Sequence, residues 1–210
     1  MSTRSRIEKT CIRKLIELKK FLSDQDMADI LLVWDGFKPA AIVELSYFPR
    51  SKFSREEFHR KIGNLKKILQ KLDLHYRLQV NYSKRKREVA HYSYIARNQK
   101  KLEEVIVADA EMNTKKRRLQ IGVLLGYPKT AAEAFANGKT LNYRNLTSAV
   151  SQKKELKFLN FRLSRHWRRE LEYMRKRARA IKQITPDLYM KIIKGSKKIG
   201  QFKDVSGSSS

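Results

Sequence analysis

Arg162, Arg165, Arg168, Arg169, Arg175, Lys176 and Arg179 crowd into one short stretch near the C-terminal end of the chain. At about 100° per residue they fall broadly on one side of a helix. Guanidinium forks match phosphate oxygens bidentately and also stack on bases, so this pattern suits contact with RNA or DNA. Glu170 and Glu172 weaken such a face only slightly. The bland alternative is a solvated helix flank.

Two further basic clusters could extend the same surface. Lys84, Arg85, Lys86 and Arg87 form a predicted hairpin tip, and Lys115, Lys116, Arg117 and Arg118 form a predicted helix start. Tyr92 and Tyr94 alternate on the strand after the tip. They read first as a core edge and second as stacking partners for unpaired bases.

Hydrolytic chemistry on a nucleic acid would need acids around a metal. Asp35, Glu44 and Ser46 are the nearest approach to a nuclease motif, with serine where a water-polarising lysine belongs. His59, His75, His91 and His166 show no metal-ligand spacing, and His166 beside Trp167 reads as a packed histidine. No serine–histidine–acid arrangement stands out, and the residues call for no cofactor.

The stretch IGVLLGYPKTAAEAF, residues 121–135, tests for a phosphate-cradling loop. Such a loop wants more glycines and a lysine before its serine or threonine. Gly126 and Pro128 instead predict a left-handed helix end followed by a corner, and Thr130 with Glu133 predicts a capped new helix. Taken with YIARNQKKLEE before it and SRHW and TPDLY after it, this stretch resembles a microbial domain-of-unknown-function family. That family is recognised by a leucine-glycine-tyrosine-proline-cysteine-cysteine signature, and the likeness is confined to the C-terminal half. The chain's single cysteine, Cys11, lies elsewhere, so any chemistry the family's paired cysteines serve is not open here. The resemblance implies no established activity.

The elements that must position these residues follow from periodicity. Apolar residues at helical spacing and a Ser5–Glu8 capping pair predict a helix over 5–22. MADILLVW and AAIVELSYF, flanking Asp35-Gly36, predict a first hairpin. Ser54 and Glu57 cap a predicted helix carrying Phe58, Ile62, Leu65, Leu69 and Leu72. LHYRLQVNY and EVAHYSYIARN predict a second hairpin. Helices follow at QKKLEEVIVADA and NTKKRRLQIGVLLG, then one long helix over 153–182 with a stripe from Leu156 to Ile181, then a short helix opened by Pro186.

The expected fold is therefore α+β: a small antiparallel sheet of two hairpins with helices on one face over 1–98, and a helical part over 99–194. The second part is either packed with the first as one unit or separate. Residues 195–210 read as a flexible basic tail. Forty-eight basic against twenty-one acidic residues give a formal charge of +27, a self-repulsion that a polyanion would relieve. No apolar run is long enough to span a bilayer and no secretory signal is legible, so the expectation is a cytoplasmic protein. Oligomeric state is not legible. The leading functional expectation is nucleic-acid binding, RNA ahead of DNA, without catalysis. The alternatives are a metal-dependent nucleic-acid enzyme around Asp35 and Glu44, and a non-enzymatic scaffold whose charge reflects a basic proteome.

Overall fold

A computed structural model describes residues 3–19, 21–48, 54–83, 88–141 and 154–195 of the 210. In chain order these form α1 (Thr3–Glu17), α2 (Asp24–Asp35), β1 (Ala40–Phe48), α3 (Arg55–Lys71), β2 (His75–Ser83) and β3 (Glu88–Ala96). There follow α4 (Gln99–Ala110), α5 (Thr114–Leu124), α6 (Lys129–Ala136), a 3-10 turn (Lys154–Phe158), α7 (Trp167–Ile184) and α8 (Pro186–Gly195). Among the described residues no helix is long and apolar enough to cross a membrane.

The first predicted hairpin is not formed. MADILLVW lies in α2, where Met27, Ala28, Ile30, Leu31, Leu32 and Val33 are all buried. A short run that is apolar except for Asp29 has no clear period to separate helix from strand. The capping box decides: the Ser23 hydroxyl accepts from Asp26 N–H at 3.1 Å, and the Asp26 carboxylate accepts from Ser23 N–H at 3.2 Å. Asp35-Gly36 is the end of this helix, with Gly36 left-handed at φ 88° and its N–H returning to the Val33 carbonyl.

The sheet accordingly has three antiparallel strands in the order β1-β3-β2, and only β2–β3 is a hairpin. A bulge interrupts the β1–β3 register between Glu44 and Ser46. Helices cover both faces rather than one. Val43, Leu45 and Ile95 pack with Leu15, Met27, Leu31, Phe58 and Leu65 from α1–α3. Ala40, Tyr94 and Ala96 pack on the other face with Leu102, Val105 and Leu125 from the α4–α5 side. β3, central in the sheet, alternates between these two cores.

Several predicted ends also move. α1 stops at Glu17, and Phe21 and Leu22 turn back onto the Leu18 carbonyl. α3 is capped as predicted, Glu57 N–H donating to the Ser54 hydroxyl at 3.1 Å. α5 and α6 meet at the predicted corner, with Gly126 at φ 72° and Tyr127 N–H bonded to the Gly122 carbonyl. Thr130 does not cap α6, whose N-cap is Pro128 with no side-chain bond.

The long helix over 153–182 is broken. After the 3-10 turn the chain runs irregularly through 159–166, and α7 starts only at Trp167. Ser164 explains the restart: its hydroxyl accepts from His166 N–H at 3.0 Å, offering the backbone a local partner that competes with a continuous helix. Leu156, Leu159 and Leu163 still reach Leu171 and Met174, but from a folded-back segment. Phe158, Ala178, Ile181, Leu188 and Ile192 join the core built by α1–α3, so the C-terminal helices close over the N-terminal layer.

Candidate nucleic-acid interface and a buried ionic cluster

Small residues between α5 and α6 create the surface. A Cβ at Gly122 would stand 2.7 Å from that of Ala132, so the two helices touch at these positions. Arg118, one turn before Gly122, is thereby brought to Phe135, one turn after Ala132 at about 3.6 residues per turn. The Arg118 guanidinium lies 5.1 Å from the Phe135 ring centroid. Arg162 reaches the same ring at 5.6 Å from the irregular segment before α7. Phe135 is 37% exposed. Both distances are within cation–π range, so one ring holds two guanidiniums at the surface.

The segment presenting Arg162 and Arg165 is held along its length. Asn160 donates its amide to Asp29 Oδ2 at 3.0 Å. Phe161 packs against Tyr127 and Tyr173, with ring centroids 5.3 and 5.7 Å apart. The Leu163 carbonyl accepts from Leu141 N–H at 2.8 Å. Ser164 donates from its backbone to Glu170 Oε2 at 2.8 Å and from its hydroxyl to Oε1 at 2.5 Å. Thr130 adds its hydroxyl to Glu170 Oε1 at 2.7 Å. Glu170 is fully buried, not on the basic face, and these three donors satisfy it.

The predicted cations divide into two groups. Arg165, Arg168 and Arg169 are exposed around the start of α7, with Lys176 further along the helix. Arg168, Arg169 and Lys176 pair with no carboxylate among the described residues. Arg168 lies 5.4 Å from the Trp167 ring centroid, and Arg165 Nε donates to His166 Nε2 at 3.2 Å. His166 is exposed, not packed. Arg175 and Arg179 are tied to Glu172, and Arg175 also to Glu155, so the far end of the face is partly neutralised.

The helix-start cluster splits in the same way. Lys116 pairs with Glu111 at 2.6 Å, and Arg117 with Asp109 at 2.7 Å. Asp109 also accepts the Tyr94 hydroxyl at 2.5 Å. Burial first, and that hydrogen bond second, raise the Tyr94 hydroxyl well above its ordinary range. Tyr94 is thus a core residue locking β3 to α4. Tyr92 is half-buried beside it. Lys115 and Arg118 remain for the surface. Lys84, Arg85, Lys86 and Arg87 lie outside the described residues, as does the predicted tail beyond Gly195.

Behind this surface sits an ionic cluster that the sequence reading missed. Asp29 Oδ1 accepts from Lys38 Nζ at 2.7 Å and from Arg177 Nη1 at 2.6 Å. Arg177 Nη2 donates to Gln25 Oε1 at 2.9 Å. The side chains of Lys38 and Arg177 are 0% exposed. Burial alone would raise the Asp29 carboxyl, but the charges of Arg177 and Lys38 overcome it and hold the group at about 2. Burial, opposed by Asp29 and reinforced by Arg177, brings the Lys38 ammonium down to about 8. The ammonium also stands 5.3 Å from the Tyr127 ring centroid, so the Gly126 corner closes over it. Burial pushes the Tyr173 hydroxyl up to about 12. The sequence did carry a signal: Glu170 and Arg177 both fall within the α7 arc of Leu171, Met174, Ala178 and Ile181. A charge on an apolar stripe needs a buried partner.

Asp35 and Glu44 stand on different elements. Asp35 is exposed on the last turn of α2, and Glu44 is exposed on β1 opposite Tyr92. Glu44 is four residues along the strand from Ala40, a run of about 13 Å. His59 and His75 are exposed, and His91 packs edge-on against Phe58 at 4.7 Å. Among the described residues no group of three or more histidine, cysteine or acidic side chains is placed to hold a metal. No family model matches the chain, and neither the curated proteins nor the solved structures contain a match.

Proposed function

We propose that this protein binds nucleic acid through the surface joining α5, α6 and the start of α7. The observation that carries the reading is the convergence of Arg118 and Arg162 on the exposed ring of Phe135. Two segments more than forty residues apart in sequence contribute to one basic, partly aromatic surface. Arg165, Arg168 and Arg169 continue it.

Electrostatics supports the same reading. A helix N-terminus already carries partial positive charge, so cations gathered there are unfavourably placed for folding. At the start of α7, the exposed Arg165, Arg168 and Arg169 add to that charge, while the first-turn carboxylate, Glu170, is buried and taken up by Ser164 and Thr130. A phosphate backbone relieves this repulsion and accepts hydrogen bonds from the same forks. The pinned 159–166 segment lowers the ordering cost of such contacts.

The test is direct titration of labelled RNA and DNA with purified protein over a salt series. The expected result is binding whose logarithm falls linearly with log salt. Absence of binding to either polymer at low salt would end this reading.

A further inference from the structure

Resting on the nucleic-acid reading above, we infer that the surface around Phe135 and Trp167 selects unpaired strands over duplexes. The argument starts from a repeated pairing of aromatic ring and guanidinium. Phe135 carries Arg118 and Arg162 over its ring at 5.1 and 5.6 Å. Trp167, itself half-buried, carries Arg168 at 5.4 Å. Phosphate contacts alone require neither ring, since lysines on any solvated helix would supply them. Rings kept partly exposed beside planar cations offer stacking surfaces instead.

Stacking distinguishes the two forms of nucleic acid. In a duplex each base already lies between its neighbours, and its faces are closed to a protein. In an unpaired strand the faces are open and can rest on an aromatic ring or a guanidinium plane. The two ring–arginine groups lie at either end of the held segment from Arg162 to Trp167. Leu163 and Ser164 between them are fastened to Leu141 and Glu170, so the two platforms keep a fixed relation. Arg165 and Arg169, exposed beside them, take the phosphates between stacked bases. Every base has a π face, so the selectivity is for strandedness rather than sequence.

The charge-preserving variant Arg118→Lys/Arg162→Lys/Arg168→Lys separates stacking from charge. It keeps three cations but removes three planes that can lie on a ring or a base. Phe135→Leu removes the shared ring while keeping an apolar residue on α6. Wild type and both variants, each checked by thermal melting, are titrated with labelled single strands and duplexes of the same mixed sequence, in RNA and in DNA. The expected result is that wild type prefers the single strand by about tenfold, the scale of one stacked base. The triple lysine variant loses about that factor on single strands and keeps its duplex affinity and salt slope. Equal wild-type affinity for both forms, or an equal loss on both in the lysine variant, overturns the strand selectivity and leaves phosphate binding standing. Failure of wild type to bind any probe removes the nucleic-acid reading itself, and this inference with it.

Discussion

Arg177 Nη1 stands 2.6 Å from Asp29 Oδ1 although the two residues are 148 positions apart in the chain. The contact ties α2 to α7. Asp29 also takes Asn160 and Lys38, so one carboxylate fixes the start of the arginine-bearing segment and the turn before β1. Glu170 fixes the other end of that segment through Ser164. Two acids, Glu170 buried and Asp29 largely so, therefore hold the surface that carries the exposed arginines.

Arg177→Met should destabilise the fold by about 3–5 kcal/mol, because it removes one partner of a buried pair. Lys38 would still face Asp29, which favours the lower end of that range. Denaturant unfolding of wild type and variant measures the difference. A change under about 1 kcal/mol, the scale of an exposed pair, would show that the cluster is not desolvated as described.

Lys38 gives the fold an uncommon alkaline response. Its folded pKa, about 8, lies below the ordinary 10.5, so folding favours the neutral amine. The penalty is fully present below about pH 8 and is relieved as pH rises toward 10.5, because the unfolded chain then binds the extra proton. Stability should rise across that window by at most about 3 kcal/mol relative to Lys38→Met. On the acid side, Asp29 at about 2 contributes stability above its ordinary 3.8 that is lost as pH falls through 2. Unfolding midpoints at stepped pH, in wild type and Lys38→Met, test both signs.

Gly126→Ala should destabilise the corner by about 1–3 kcal/mol, since the position has φ 72° and a Cβ there would come within 2.9 Å of the Pro39 ring. Lys129→Ala should leave stability unchanged, as its pair with Glu133 is long at 3.8 Å and largely exposed. A marked loss of nucleic-acid affinity in Lys129→Ala, with folding intact, would instead restore a phosphate-loop role for this stretch.

This corner illustrates what local pattern can convey. Gly126 and Pro128 dictate their own conformation, so the corner was legible, as were the Ser54 cap, the β2–β3 alternation and the Pro186 start. Residues 27–34 were not legible as a helix from periodicity, because burial of six of the eight leaves no clear period. The break at 159–166 depends on Ser164 meeting Glu170, and Asp29 meets its partners only across the closed fold. Such contacts leave no local spacing. The arginines of the interface were visible as charge, but their gathering on Phe135 depends on how closely α5 and α6 cross at Gly122. Arg177 falls within the apolar arc of α7, which places it inside.

The surface prediction turns on position rather than total charge. Arg165→Ala/Arg168→Ala/Arg169→Ala removes three exposed cations at the start of α7, none of them in the buried arc of Leu171, Met174 and Ile181. Lys14→Ala/Lys67→Ala/Lys71→Ala removes three exposed cations from α1 and α3, in the layer on the other face of the sheet from α4 and α5. Each phosphate contact contributes about 0.9 to the slope of log affinity against log salt on a duplex and about 0.7 on a single strand. The arginine variant should therefore lower both affinity and slope, by roughly two units of slope on a single strand and nearly three on a duplex if each side chain takes one phosphate. The lysine variant should change the slope by far less, since charges beyond a Debye length of about 10 Å are screened. Thermal melting of both variants near wild type confirms that the comparison is between surfaces. Equal losses in the two variants would assign binding to bulk charge and remove the interface at Phe135 and α7.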